Sequence, residues 1–323
     1  IFFIKNCFGD EKILNYKNYY LNQLTELDFL KNLSVTKKLN NIKKLKQKTK
    51  TKTIIKSNVS KKKFKEMILK AKKYIKKGDI FQVVLSQRFE CKTNKSPLEI
   101  YKKLRSSNPS PFMYYFNFED FQIVGSSPEI LVRLRKNKIT IRPIAGTRPR
   151  GVTATKDKFY KNQLLNDKKE LAEHLMLLDL GRNDVGKIAK INTVKVTEKF
   201  KIEKYSHVMH IVSNVEGDFR EKQTLLDAMF AGFPAGTVTG APKIRAMEII
   251  DELENSKRKM YAGSIGYFSA DKNFDTCIAL RTALIKNDKF YIQSGAGIVA
   301  DSIPEKEYEE TVNKAKALIN SLN

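Results

Sequence analysis

Four glutamates in two pairs carry the first chemical signal in this chain. Glu170 and Glu173 lie in KELAEHLMLLDLGRNDVGK (169–187) beside His174, and a spacing of three on a segment with helical apolar period puts both carboxylates on one face. Glu307 and Glu310 repeat that spacing in DSIPEKEYEETVNKAKAL, where Ala315, Leu318 and Ile319 supply the apolar side of a closing helix. A glutamate on a helix is ordinarily solvated. Here both pairs stand beside apolar runs and near Gly-rich segments. Four inward carboxylates would form an oxygen-rich cage for a hard divalent cation. Mg2+ suits it, since it takes few protein carboxylates and leaves its other positions to water and an anionic substrate.

Three Gly-rich segments could meet that anion. PIAGTRPRG joins Gly146 and Thr147 to Arg148 and Arg150, so backbone approach and cationic donors share one turn. AGFPAGTVTGAPKIRAMEIIDEL leads Gly236, Thr237, Thr239, Gly240 and Lys243 into a helix starting near Pro242, and helix N-termini favour anions. It lacks the GK[ST] ending of a phosphate-binding loop. QSGAGIVAD matches GxGxxA, but Pro304 follows too soon for a dinucleotide-binding βαβ unit. Gly295, Ala296 and Gly297 are better read as presenting backbone N–H groups to a carboxylate at a strand end.

Arg281 sits in CIALRTAL, where burial is costly without an anionic partner and the planar fork suits a carboxylate. Pairing with an Asp or Glu of this chain is the structural alternative. His207 and His210 are three apart, so on a strand they face opposite ways and at most one lines a given site.

The elements that must position these groups are strand-rich. FKEMILKAKKYIKKGD reads as a helix with Phe64, Met67, Ile68, Ala71 and Ile75 inward and Gly78 ending it. Strands follow at IFQVVLSQRFEC, PFMYYFNFED, FQIVGSS and EILVRLRKN, with a helix at PLEIYKKLRSS and a hairpin turning at Asn137. A helical section spans residues 156–181. Further strands are expected at KINTVKVTEKF, SHVMHIVSNVEGDF, GSIGYFSA, FDTCIALRTALIKN and KFYIQSGAGIVA. Mostly short connections point to large antiparallel sheets with helices on their outer faces, an α+β fold.

Composition agrees with one large catalytic domain: 323 residues, 41% of them hydrophobic. The formal net charge of +26 raises a basic RNA-binding protein as an alternative. The densest basic run, residues 37–65, is interleaved with Asn, Thr and Ser rather than stacking aromatics. Lysines elsewhere lie on polar faces of amphipathic segments, so the charge is read as a compositional habit and no nucleic acid is expected. Three cysteines without metal-ligand spacing fit reduced thiols in a cytoplasmic protein. No apolar stretch reaches membrane-spanning length, so no membrane is expected. The chain begins with Ile. Residues 1–55 are therefore expected to be the linker and remnant of a truncated N-terminal regulatory region, and residues 56–323 the catalytic domain.

The ordered blocks GDIFQVVLSQRF, NPSPFMYYF, SSPEILV, RPIAGTRPRG, ELAEHLMLLDLGRNDVG, SHVMHIVSNVEG, FPAGTVTGAPKIRAMEII, CIALRTA and SGAGIVADSIPEKEYEET together resemble one family, the chorismate-utilising enzymes, and within it the anthranilate synthase component I branch. The resemblance implies a four-layer α/β/β/α fold with two large, mainly antiparallel sheets. It implies a Mg2+-dependent lyase of tryptophan biosynthesis that converts chorismate and ammonia to anthranilate and pyruvate via aminodeoxyisochorismate. Glu173 and Glu310 would be direct or nearly direct metal ligands, with Glu170 and Glu307 holding metal-bound water. Arg281, Tyr261 and the backbone of Gly295, Ala296 and Gly297 would hold substrate carboxylates, and Gly146 and Lys243 would also touch substrate. Glu129 would be the general acid, His210 would assist at the departing hydroxyl, and Thr147 and Thr237 would line the pocket.

Isochorismate and salicylate synthases resemble this chain but carry a water-activating Lys where Gln82 stands. Aminodeoxychorismate synthases, the alternative leading to p-aminobenzoate, typically carry Lys where this chain has Ala145. No amidotransferase nucleophile is visible, so ammonia would come from a separate glutamine amidotransferase subunit, component II. Pro111, Met113 and Cys277 match positions at which the family binds tryptophan as feedback inhibitor, although the LLES-type segment is missing.

Overall fold

A computed structural model describes residues 54–205 and 208–322. Most of the 1–55 stretch, and His207, lie outside the described residues. Local signals set the elements much as expected. Ser60 caps helix α1 (Lys61–Lys76) by accepting from Lys63 N, and Phe64, Met67, Ile68 and Ala71 form its buried stripe. Gly78 follows the helix at φ +83°, the left-handed conformation that glycine adopts without strain. Helix α2 (Pro97–Ser107) opens with a capping box between Ser96 and Glu99.

The strands form two seven-stranded sheets, every pairing antiparallel. Sheet one runs β1 (Lys56–Ser57), β2 (Gln82–Lys92), β14 (Lys289–Ile298), β13 (Thr282–Lys286), β4 (Phe121–Ser127), β3 (Phe112–Phe118), with β10 (Gly240–Ala241) also on β2. Sheet two runs β11 (Ser264–Phe268), β12 (Phe274–Ile278), β5 (Ile130–Arg135), β6 (Lys138–Ile141), β9 (Val208–Asp218), β7 (Ile144–Pro149), with β8 (Lys195–Lys204) also on β9. The expected β5–β6 hairpin turns through Lys136 and Asn137, both at positive φ.

Helices cover the outer faces. On sheet one lie α1, α2, α7 (Lys243–Leu253) and α8 (Pro304–Asn320). On sheet two lie α3 (Ala154–Leu165), α4 (Lys168–Gly186) and α5 (Leu225–Gly232). The expected helical section 156–181 is thus two helices. The chain breaks at Asn166 and Asp167, and the Asp167 side chain caps α4 by accepting from Lys169 N and Glu170 N. Separate apolar clusters lie beneath the helices of each sheet, and another joins Tyr114 and Ile123 of sheet one to Cys277 and Ile265 of sheet two. These layers are the α+β architecture that the strand pattern implied and the four-layer arrangement that the family resemblance implied.

One expected strand, FDTCIALRTALIKN, is two strands in different sheets. β12 ends in sheet two at Ile278, and the chain passes through Ala279, Leu280 and Arg281 into β13 of sheet one. The β4 to β5 connection crosses between the same sheets through Pro128 and Glu129. The crossings are bonded to each other: Ile278 N donates to Glu129 O (3.1 Å), Ser126 N to Arg281 O (3.1 Å) and Ser127 Oγ to Ile278 O (2.6 Å). Flanking strands with continuous apolar character gave no local sign of the break.

Candidate active site

Arg281 occupies the second crossing at φ +46°, a conformation costly for a bulky residue and held where surrounding structure dictates it. Among the described residues its guanidinium has no hydrogen bond or ion pair. Burial lowers its pKa, with Glu129 and Tyr205 acting against that. Internal salt-bridging, the structural alternative for this arginine, is therefore not what holds it. A partly buried cation without an internal partner calls for an external anion.

Glu129, on the first crossing, is buried. Burial pushes its carboxyl up to about 7, while Thr237, Lys314 and Arg281 pull it partly back. The Thr237 hydroxyl lies near enough for that influence but completes no hydrogen bond and is left without a partner. Thr237 belongs to the one-turn helix α6 (Gly236–Thr239), which β10 fastens to β2 through the pairs Gly240 with Val83 and Ala241 with Gln82. Gly240 must be glycine: at φ +136° its backbone lies so close to β2 that a Cβ would come 2.1 Å from Gln82 O. A small cavity of about 30 Å3 adjoins Glu129 and Thr237, walled by Gly181, Leu180 and Asp184 of α4 and by Ala235.

His210 lies on β9 opposite Thr147 of β7. Its Nδ1 is 3.0 Å from both Gly146 O and Thr147 Oγ1. A carbonyl can only accept, so Nδ1 carries the proton and, in the neutral ring, Nε2 holds the free lone pair. Burial lowers the pKa of His210, opposed by the Gly146 bond and reinforced by Arg281, so the ring is neutral near pH 7. Gly146 takes φ +69° at an irregularity in the β7–β9 register, and a Cβ there would approach Glu170 Oε2 to 3.1 Å.

The carboxylates arrive on α4 and α8. Burial raises the pKa of Glu173; the bond from Gln82 Nε2 to its Oε1 (2.8 Å) lowers it, and Glu170 and Glu310 raise it further. Burial also raises Glu307, with Ser302 opposing and Glu310 reinforcing. The four are therefore electrostatic neighbours, as the paired spacing predicted. Each of three already has a partner: Arg148 Nη1 donates to Glu170 Oε1 (3.0 Å), Gln82 donates to Glu173, and Lys314 Nζ lies 2.7 Å from Glu310 Oε1. Among the described residues no three Asp, Glu, His or Cys side chains converge as a closed metal cluster. The donor set is all oxygen and its charges repel, which fits a divalent cation that takes few protein ligands.

Gly295, Ala296 and Gly297 lie in the C-terminal end of β14, just before its last residue Ile298, opposite Ser86, Leu85 and Val84 of β2. Lys314 Nζ donates to Gly295 O (3.0 Å), so that carbonyl points away from β2. In an antiparallel strand N–H and C=O of one residue point the same way and alternate along the chain. Gly295 and Gly297 therefore present N–H groups on the open edge, while Ala296 faces the β2 ladder. The Tyr261 hydroxyl lies over the face of this strand end, only 2.8 Å from where a Cβ on Gly295 would stand, and burial pushes its pKa up to about 12.

Other expected contacts lie elsewhere. Lys243 Nζ is bound to Asp184 Oδ2 (2.6 Å), so its charge is committed there and is not offered beside Arg281. Arg148 and Arg150, read as an anion-docking pair, hold carboxylates of this chain: Arg148 takes Asp167 and Glu170, and Arg150 takes Asp157. Met113 packs on the helix side of sheet one, whereas Cys277 lies in the inter-sheet cluster with Tyr114; Pro111 is exposed. Consecutive strand residues face opposite ways, so Met113 and Cys277 do not share a surface. Lys314 was missed in the sequence. It touches Glu310 and Gly295 and acts electrostatically on Glu129 and His210. Its position four residues after Glu310 on one helix was the available signal.

The whole constellation, a carboxyl group of raised pKa, unpaired guanidinium, open strand edge and clustered carboxylates, suits a small molecule carrying more than one carboxylate. Comparison with known proteins gives it a lineage. The family model described as chorismate binding enzyme matches residues 7–320. An anthranilate synthase component 1 from Cereibacter sphaeroides is 62% identical over 264 residues, covering 82% of this chain and 53% of the relative. One from Acetivibrio thermocellus is 55% identical over 275 residues, covering 85% and 56%. The chain thus spans about half the length of the curated relatives it matches. The crystal structure of anthranilate synthase component I from Streptococcus pneumoniae superposes with a TM-score of 0.81 at 42% identity, covering 98% of this chain and 68% of that one. A putative 2,3-dihydroxybenzoate-specific isochorismate synthase from Bacillus anthracis, 23% identical, shares the fold with a TM-score of 0.74 over 84% of this chain and 74% of that one. With a family model spanning nearly all of its residues and a matching two-sheet architecture, this chain belongs to the chorismate binding enzyme family.

Proposed function

We propose that the chain is the chorismate-converting subunit of an anthranilate synthase, adding ammonia to chorismate and releasing anthranilate and pyruvate. The observation that carries this reading is the pairing, across two bonded crossings, of an arginine without an internal counter-ion and a carboxylic acid with a pKa of about 7. Arg281, Tyr261 and the N–H groups of Gly295 and Gly297 would hold one substrate carboxylate by charge-assisted hydrogen bonds. Glu173 and Glu310, with Glu170 and Glu307 around them, would hold Mg2+, which when bound supplies positive charge to the other carboxylate. Glu129, about half protonated near pH 7 and increasingly so below it, donates its proton to the departing ring hydroxyl, which leaves as water. His210, neutral and fixed by Gly146, offers Nε2 as an acceptor that orients that hydroxyl. Thr147 and Thr237 line the same space.

Ammonia forms the new C–N bond as the C–O bond breaks, and loss of pyruvate with a ring proton then aromatises the product. Gln82 has an amide where water-activating relatives carry Lys. Ala145 likewise replaces the Lys expected of an enzyme making the 4-amino isomer. The relatives' name, component 1, supports a partner chain, which we assign as a glutaminase supplying ammonia. Among the described residues no helix is long and apolar enough to cross a membrane.

The test is incubation of the purified chain with chorismate, Mg2+ and ammonium, the product being identified by fluorescence and mass, with Glu310→Gln as control. Anthranilate from the parent and none from the variant supports the activity and the metal site together. p-Aminobenzoate precursors, or no turnover by a folded chain, would overturn it.

A further inference from the structure

We propose that Arg258, which touches none of the reacting groups assigned above, is the positioning residue that holds Tyr261 and the Thr237 turn in register with β2. Its guanidinium uses four of its five donors on three separate pieces of chain. Nη1 donates to Val238 O of α6 (2.6 Å), and Nη2 donates to Val84 O of β2 (2.6 Å) and to Glu254 Oε1 (2.6 Å). Nε donates to Glu254 Oε2 (3.0 Å). The guanidinium carbon lies 5.4 Å from the centre of the Tyr261 ring, and Tyr261 N donates back to Arg258 O (3.0 Å).

Each tie leads to a group at the site. Val238 follows Thr237, whose hydroxyl faces Glu129. Val84 stands opposite Gly297 in the β2–β14 ladder. Tyr261 presses its hydroxyl against Gly295. Glu254 is itself fixed, accepting from Ser86 N and Ser86 Oγ (both 2.8 Å), and Gln293 Nε2 donates to Ser86 Oγ (2.7 Å). The assembly lies along the edge of β2 away from β14, and through Tyr261 it reaches the sheet face that Gly295 and Gly297 present to Gln82 and Glu173. A lysine could not replace it, because one ammonium on a flexible stem lacks the rigid fork that spans two carbonyls and a carboxylate. The role of the assembly in substrate binding rests on the proposed function; the brace itself does not.

The experiment uses the 323-residue chain, in which Arg258→Lys, Tyr261→Phe and the double variant are compared by steady-state kinetics and hydrogen–deuterium exchange. Arg258→Lys is expected to raise KM for chorismate about tenfold with kcat changed less than about threefold, the signature of lost binding rather than lost chemistry. If Arg258 acts through Tyr261, the double variant has a KM no higher than the worse single variant. Amide exchange in Arg258→Lys should quicken at residues 84–86 and 237–241 while the protection of α2 is unchanged. Multiplying KM effects in the double variant would overturn positioning through Tyr261. Unchanged exchange at those two stretches would overturn the brace whether or not the chain is active, and a parent that turns over no chorismate would sink the functional reading alone.

Discussion

The two halves of the site manage charge in opposite ways. At the crossings between sheets, Glu129 is buried and Arg281 partly buried, each side chain without a completed internal bond, and loss of solvent pushes their pKa values toward the uncharged forms. On α4 and α8, Glu170, Glu173 and Glu310 each have a partner, supplied by Arg148, Gln82 and Lys314. The crossings are preorganised: much of the desolvation is already in place and a ligand anion meets no competitor. The helical carboxylates instead hold stand-in partners that an arriving cation must displace. One half is built for tight recognition of a fixed shape, the other for exchangeable occupancy.

The largest effects should separate these halves. Arg281→Met is expected to lower kcat/KM by about 10^3 while leaving thermal stability equal or higher, because a partly buried, unpaired cation is removed. Glu310→Gln should lose activity on a similar scale, about 10^3, with little change in melting temperature, since its pair with Lys314 is half exposed and such pairs contribute about 0–1 kcal/mol. A marked loss of stability in Arg281→Met would mean that the guanidinium has a structural partner after all, and the comparison would fail.

Stability against pH probes the same contrast. The folded-state pKa of Glu129 is raised from 4.5 to about 7, so the folded chain keeps a proton that the unfolded chain has released between those values. Stability should therefore fall as pH rises through that window, by about 3 kcal/mol in full. His174, buried beside Glu173 with Nε2 2.7 Å from Ser213 Oγ, is lowered by burial from 6.5 to about 4. Its contribution is complete above pH 6.5 and is lost as pH falls toward 4, again by about 3 kcal/mol. Denaturant melts across pH should show the high-pH loss vanish in Glu129→Gln and the low-pH loss vanish in His174→Gln.

Two smaller effects sharpen the chemistry. The kcat/KM of the parent should decline about tenfold per pH unit above about 7 as free Glu129 loses its proton, a slope absent from the residual activity of Glu129→Gln. Thr147→Val removes the hydroxyl 3.0 Å from His210 Nδ1 but leaves the Gly146 carbonyl in place. A loss of only a few-fold in kcat, about 1 kcal/mol, is expected. A loss as large as that of Arg281→Met would show that Thr147, and not Gly146, fixes the imidazole.

The carboxylate half was legible because helical spacing is local: Glu170 with Glu173, and Glu307 with Glu310, could be placed on common faces without knowing the fold. Arg281 was legible as an oddity but not as a crossing, since apolar residues on both sides continue the strand pattern across a change of sheet. Sequence alternation puts Met113 and Tyr114 on opposite faces but cannot say which face meets the second sheet, so that Tyr114 rather than Met113 lies with Cys277 could not be read from the strand alone. Arg148 and Lys243 looked like anion donors because their partners, Asp167 with Glu170 and Asp184, are fixed only by tertiary packing.

The bonds between the crossings have a consequence for how the protein answers its ligand. Ile278 N to Glu129 O carries the β5–β12 ladder into the crossing, Ser126 N to Arg281 O does the same for the β4–β13 ladder, and Ser127 Oγ to Ile278 O ties the one sheet to the other. A molecule lodged between Glu129 and Arg281 lies across that seam as a rivet does across two plates. Sliding of one sheet along the other would then have to expel it, so the ligand's residence time and the rigidity of the seam become a single property.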